Sequence, residues 1–391
     1  MLRSLFSGIS GLRSHQTMLD VTGNNIANVN TTGFKASQTQ FQDTLSQVLT
    51  NPGGAQAGIG GTNPAQVGLG VKVAAISTNF QQGAAQTTNR STDMMISGDG
   101  FFSVQKNGQT FYTRNGSFDF DATGQLVTAE GGLVRGWLAD AAGQIDTADG
   151  LAPIQLPTTT LVGAQATTNV AFGGNLPSDV AVGTNLVRDV EVFDELGASS
   201  TMTLAFTRTG TGWNVSGTDG GAPATGALTF NADGTLATGG TLAVNGRNVD
   251  LSGVTGYAAL STVEVETVNG NQAGSLQSFS INADGTIIGA FSNGTKQDIG
   301  RIALATFANP VGLQKAGGSL YTTSVNSGNP QVGTAGTGGR GSLIGGAVEM
   351  SNVDLSSEFT NLIIAQRGFQ ANSRVITTSD ELLQELVNLK R

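Results

Sequence analysis

"NNIANVNTTGFKAS" occupies Asn24–Ser37, with asparagines at 24, 25, 28 and 30. An asparagine amide competes for backbone hydrogen bonds and is unfavourable in a helix interior. Yet the stretch follows a helical stripe. Leu5, Leu12, Leu19 and Ile26 step by seven, with Leu2 and Ile9 on the adjoining row. The pattern predicts a long N-terminal helix that the asparagines end. Gly33 is then free to take a positive φ as the chain leaves.

The other end of the chain repeats the seam. Leu355, Leu362, Phe369, Ile376 and Leu383 also step by seven, flanked by Phe359, and Asp354 stands at an N-cap position before them. A helix from Leu355 to about Leu389 is expected, roughly 50 Å long at about 1.5 Å per residue. Each terminal helix carries one apolar stripe and needs a partner, so the two ends are expected to pair.

Between them the pattern is that of strands. From Gly98 the chain alternates short aromatic and β-branched runs with Asn-Gly, Thr-Gly and Gly-Gly, a series of hairpins. "LTFNADGTL" (Leu228–Leu236) and "FSINADGTI" (Phe279–Ile287) read as two more, each turning at Ala-Asp-Gly. The fold class expected is α+β, with terminal coiled-coil helices and two nested, mainly antiparallel β domains inserted between them. Residues 1–33 and 351–391 would make the helical domain and 34–70 an extended Gly-rich connection. Residues 71–148 and 300–350 would make an inner β domain, and 149–299 an outer one. Within the connection, Asn51–Gly70 has no charged residue and reads as a loop that cannot bury a core.

Composition narrows the function. Of 391 residues 57 are glycine and only 12% are charged, with 19 lysines and arginines and a net charge of −9. No basic face for nucleic acid is expected. The chain has no cysteine, which removes disulfides, thiolate metal sites and a cysteine nucleophile. No apolar run is long enough to cross a membrane, and the spaced apolar residues of the N-terminus do not read as a secretory signal.

Three stretches look chemical. "GTGGRG" (Gly336–Gly341) satisfies a dinucleotide motif but lacks the strand before and the helix after, so a flexible hinge is expected. Asp119, Asp121, Thr123, Gly124 and Glu130 match calcium-loop spacing, but strand-like flanks favour a hairpin turn with surface carboxylates. His15, the one histidine, lies off the seam and reads as a solvated helix residue. Trp137 and Trp213 lie in strand runs and read as core. No convergent acid–base set emerges, so neither catalysis nor a cofactor is expected.

The two ends resemble the signatures of bacterial flagellar axial proteins, which include rod, hook and hook-associated proteins. The N-terminal resemblance rests on Asn25, Ile26, Ala27, Asn28, Gly33, Phe34 and Lys35. The C-terminal one rests on Asn352, Val353, Asp354, Gln366, Arg367, Gln370, Ala371 and Asn372 within "SNVDLSSEFTNLIIAQRGFQANSRVI". "ISGDGFFSV" (Ile96–Val104) is similar to the inner β domain of rod and hook proteins. "VEVFDELGASSTMTLAFTRTGTGWNV" (Val190–Val215) resembles the outer domain of the flagellar hook protein. The resemblance covers nearly the whole chain.

It implies a structural hook subunit that polymerises into a flexible torque-transmitting tube. Leu5, Ile9, Leu12, Leu19, Ile26, Leu355, Phe359, Leu362, Phe369, Ile376 and Leu383 would serve self-assembly. Implied partners are further copies of itself, distal rod, hook cap and hook–filament junction proteins, and the flagellar type III export apparatus. Neither nucleic acid nor membrane insertion is implied. The location implied is the hook, outside the cell after signal-less export. A stiff distal rod subunit is the alternative, against which the Val190–Val215 resemblance speaks. An unrelated enzyme or calcium-binding β protein is the third.

Overall fold

The computed structural model describes residues 2–54, 58, 60–140, 143–157 and 161–388. Two long helices stand at the ends of the chain, α1 (Leu2–Ala27) and α2 (Leu355–Asn388), and strands fill the middle. No described helix is long and apolar enough to cross a membrane. Packing divides the chain into two units. The first is 1–155, 280–287 and 298–391; the second is 156–279 and 288–297.

In the first unit α1 and α2 pack against each other, antiparallel. α2 starts where its cap requires. Asp354 Oδ1 accepts from the backbone N–H of Ser356 at 2.9 Å, and its carbonyl accepts the first helical bond, from Glu358. α1 ends at Ala27, so Asn24 and Asn25 lie inside it rather than beyond it. Gly33 has a φ of +66°, and a Cβ there would lie 2.5 Å from the backbone N of Asn115. Any other residue at 33 would be both strained and blocked.

After Gly33 the chain doubles back along α1 as a ribbon. β1 (Ser37–Asp43) pairs antiparallel with β4 (Val71–Thr78), with a bulge at Gln40/Phe41. The hairpin between them is β2 (Ser46–Thr50) with β3 (Ala65–Gly68). Residues 34–70 thus include three paired strands. Part of Asn51–Gly70, expected as loop, is β3, because Val67 and Gln66 find ladder partners in Gln47 and Val48. Every residue of β2 and β3 is exposed, so the hairpin has no core of its own.

The rest of the first unit is a β layer built on the hairpin 101–106/109–113. Phe101, Tyr112, Phe307, Leu313 and Tyr321 pack together at its centre with Phe80 against them. Two short antiparallel pairs, 85–87 with 347–349 and 94–97 with 342–345, carry the chain back towards α2.

The second unit is all β. A five-stranded antiparallel meander runs from 185–193 to 236–238. A four-stranded sheet orders 241–244, 247–255, 169–175 and 264–268, with 169–175 parallel to 247–255. Their inner faces share one apolar core that includes Phe172, Met202, Phe206 and Trp213, each at most 1% exposed.

Candidate self-assembly site

The helix pair meets through small residues. A Cβ on Gly11 would lie 2.7 Å from Asn372 Oδ1, and one on Gly368 would lie 2.5 Å from the His15 ring. Gly8, Gly11, Ser14, Thr22 and Asn25 on α1, with Ala365 and Ser379 on α2, are its buried positions. The seven-spaced residues Leu5, Ile9, Leu12, Leu19, Ile26, Leu362, Phe369, Ile376 and Leu383 are only half-buried, and Leu355 and Phe359 are exposed. Glycine and serine let the two backbones approach, and that closeness pushes the large side chains to the flanks of the contact.

His15 is not a solvated residue. Its ring stands between Gly368 and Phe41, edge-on to the latter at 5.7 Å. It pins α1 between α2 and the ribbon, and Val71 adds a bond from its N–H to Ser10 Oγ at 3.2 Å.

Away from α1, α2 carries uncovered apolar side chains among polar ones. Phe359 and Ile363, one turn apart, are 51% and 49% exposed; Ile364 and Leu382, on another side of the helix, are 53% and 48% exposed, and Val375, at the edge of the contact beside Gly8, is 43% exposed. Gln366, Arg367, Gln370 and Ala371 of the C-terminal signature are exposed as well.

Other signature residues tie the helices to the β layer. Asn25 Nδ2 donates to Ser37 O at 2.8 Å and to Glu358 Oε1 at 3.1 Å, and its Oδ1 accepts from Ser37 N at 3.0 Å. It is a staple across helix, ribbon and helix, which is why an amide sits in the last turn of α1. Asn352 does the same from the other end: Oδ1 accepts from Ala36 N, and Nδ2 donates to Asn79 O and Gln81 O. Asn28 and Phe34 are half-buried beside them, and Val353 leads into the Asp354 cap.

Between the staples lies a buried ion cluster. Lys35 Nζ is 2.6 Å from Glu349 Oε1 and donates to Gln81 O at 2.7 Å. Arg114 Nη1 lies 3.7 Å from Glu349 Oε2 and donates to Gly98 O at 2.8 Å. Gly83 N also donates to Glu349 Oε1, and Gly33 N to Glu349 O. Lys35 and Glu349 are wholly buried and Arg114 nearly so. Burial pushes the Lys35 ammonium down from its ordinary range while the Glu349 bond and charge pull it back up. Burial lowers Arg114 and raises Tyr321 nearby. Glu349, Arg114 and Glu358 escape sequence reading, since none stands in a periodic pattern. The small-residue seam left a trace in the three-residue spacing of Gly8, Gly11 and Ser14.

The chemical-looking stretches resolve locally. Asp121 Oδ1 accepts from Thr123 N, Thr123 Oγ1 and Gln125 N, closing the turn between 118–120 and 126–128. Asp119 pairs with Arg90, and Glu130 with Lys106 at 3.2 Å. "GTGGRG" is a pinned turn, not a hinge. Gly336 N donates to Gly341 O, Gly341 N to Asp99 O, and Arg340 Nε to Thr334 O. Both tryptophans are buried, at 5% for Trp137 and 1% for Trp213.

Four family models match along the chain. "Flagella basal body rod protein" covers 5–35 and "Flagellar hook protein FlgE/F/G D1 domain" 95–174. "Flagellar basal body protein FlaE D2 domain" covers 164–329 and "Flagellar basal body rod FlgEFG protein C-terminal" 344–389. The flagellar hook protein FlgE of Borreliella burgdorferi is 39% identical with all of both chains aligned. The flagellar basal-body rod protein FlgG of Bacillus subtilis is 36% identical, again over all of both. A crystal structure of Helicobacter pylori flagellar hook protein FlgE2 superposes with a TM-score of 0.54 at 16% identity, covering 66% of this chain and 98% of that one.

Proposed function

The chain belongs to the flagellar hook protein family, and from that membership we propose how its surfaces build the hook. It is the repeating structural subunit, and many copies pack their helix pairs around the polymer axis. The observation that carries this is the apolar surface that α2 leaves uncovered beside α1, at Phe359 and Ile363 and at Ile364. One antiparallel pair leaves that surface in water, whereas a ring of pairs buries it. Each such side chain contributes about 1.5–3 kcal/mol when fully covered.

The half-buried seam residues Leu5, Ile9, Leu12, Leu19, Ile26, Leu362, Phe369, Ile376 and Leu383 then serve both contacts, inward to the partner helix and outward to neighbouring copies. Leu355 and Phe359 serve neighbours only. The first unit supplies the helices and the inner β domain, and the second, 156–279 and 288–297, supplies the outer β domain. The tube bends while passing torque, meets rod, cap and junction proteins at its ends, and reaches the outside of the cell through the flagellar export apparatus.

Ile364→Asp and Phe359→Asp should leave the chain monomeric by sedimentation under conditions where the unmodified chain forms tubes seen by electron microscopy. Their thermal melting should be unchanged, because both residues already face water in the single chain. Tubes of normal shape from Ile364→Asp would overturn the reading. The FlgG relative favours one second reading, a stiff rod subunit. Bending stiffness of the purified tubes separates the two, since a rod resists the curvature that a hook adopts.

A further inference from the structure

α1 and α2 keep one register along their length. Gly8 faces Val375 and Ile376, Gly11 faces Asn372, His15 faces Gly368, and Asn25 bonds Glu358. Held to that register, Leu355 is level with the end of α1, so this end of the pair is flush. At the other end Leu2 is level with Glu381. Leu382–Asn388 thus extends past the described part of α1, by about 10 Å at about 1.5 Å per residue.

The overhang continues the contact face. Val387 lies three helical turns beyond Ile376, on the side that α1 covers higher up, and is 68% exposed. Glu385, two residues earlier and on the opposite side of the tip, has no ion pair among the described residues.

At the flush end a cavity of about 400 Å³ opens beside the last turn of α1. Asn24, Asn28, Thr31 and Phe34 form one wall, and Lys315 and Leu320 stand across from them. Lys315 lies 5.1 Å over the Phe34 ring and donates to Ser37 Oγ at 2.8 Å, with no carboxylate partner among the described residues. Glu130 also lines the cavity, held by Lys106. One end of the helix pair thus carries a projecting tip with an acid that no described base pairs. The other carries a cavity with an unpaired base.

We propose that the overhang of one copy enters the flush-end cavity of a second copy. It takes Val387 out of water and brings Glu385 to Lys315. The contact is heterologous, so it repeats head to tail and gives an open filament rather than a closed ring. It rests on the hook-subunit reading and adds to it a longitudinal contact, distinct from the sideways packing of α2.

The absence of cysteine makes the test clean. Thr31→Cys with Val387→Cys in one chain, assembled and then oxidised, should give a ladder of multimers on a non-reducing gel. Either single variant should give nothing above a dimer. Tubes of the double variant that yield no ladder overturn the proposal while leaving the hook-subunit reading intact. If the double variant does not assemble, charge exchange decides. Glu385→Lys should raise the concentration needed for assembly at least about tenfold, and adding Lys315→Glu should bring it back. No recovery overturns the proposal. Failure of the unmodified chain to form tubes would fall on the hook-subunit reading itself.

Discussion

The two units of this chain close on contacts of different reach. The second packs on an apolar cluster, Phe172, Met202, Phe206, Trp213 and a surround of valines and leucines, all from one stretch of chain, and its largely buried ion pair, Arg247 with Asp219, joins residues only 28 apart. The first buries a lysine, a glutamate and an arginine at its centre. The second unit can reach its core from local hairpins. The first cannot close until Lys35 and Glu349, 314 residues apart, meet. Apolar packing tolerates substitution of similar shape, whereas a buried charge demands its own partner. The difference suits the two jobs. A signature region that must set the same helix-to-sheet geometry in every copy gains from a contact that only one arrangement satisfies.

Paired substitutions test that contrast most strongly. Lys35→Ala leaves Glu349 buried with Arg114 alone, and breaking a buried pair from one side costs about 3–5 kcal/mol. Phe206→Ala empties a ring-sized space in the second core and costs about the same. Calorimetry should show Lys35→Ala lowering the transition of the first unit and sparing the second, with Phe206→Ala doing the reverse. A common drop in both transitions from either variant would mean that the units are not energetically separate. Lys35→Met with Glu349→Leu should recover part of the stability lost by Lys35→Ala, since neither charge is then stranded.

The glycines of the helix pair sharpen the comparison at a smaller scale. Gly23 on α1 has open space where a Cβ would go. Gly23→Ala should stabilise the first unit by about 0.5–1 kcal/mol through helix propensity alone. Gly368→Ala has the same propensity gain, but its Cβ would lie 2.5 Å from a His15 ring backed by Phe41. Overpacking of that kind costs about 1–3 kcal/mol, so the net change should be a loss. Chemical denaturation followed by helical circular dichroism gives the two signs. Two gains would show that the seam is looser than its geometry.

The helices, the hairpin turns and both tryptophans are legible in the sequence because period and turn chemistry are local signals. Asp354 caps α2 where its position predicts, and Gly33 takes the positive φ that the exit from α1 requires. The large seam residues are legible as a stripe, but their exposure is not. Leucine spacing says which side of a helix is apolar, and not whether one partner or several cover it. Asn25 looks like a helix breaker until Ser37 and Glu358 are placed beside it. Glu349 is silent altogether, since a single carboxylate in a short strand carries no period, and only the fold brings Lys35 to it.

The smallest expected effect concerns a device that both units share. Asp121 in the first unit and Asp233 in the second each cap a tight hairpin turn. The Thr123 hydroxyl lies 2.8 Å from Asp121, and the Thr235 hydroxyl 2.6 Å from Asp233. Those side-chain bonds, with backbone N–H donors behind them, hold both carboxyls below the ordinary aspartate range. A carboxyl whose pKa is lower folded than unfolded adds stability that is fully present above the unfolded value, about 3.9. That stability is lost as pH falls through the folded value. Both units should therefore weaken below about pH 4, each through its own turn. Asp121→Asn should flatten the acid slope of the first transition only, and Asp233→Asn that of the second only, because the amide oxygen still accepts these bonds but no longer titrates. Both carboxylates are fully exposed, so each slope should change modestly and most visibly at low salt. Melting curves recorded from pH 5 to about pH 2 would show it. Slopes that stay put in both variants would mean that acid weakens the two units through groups other than these turns.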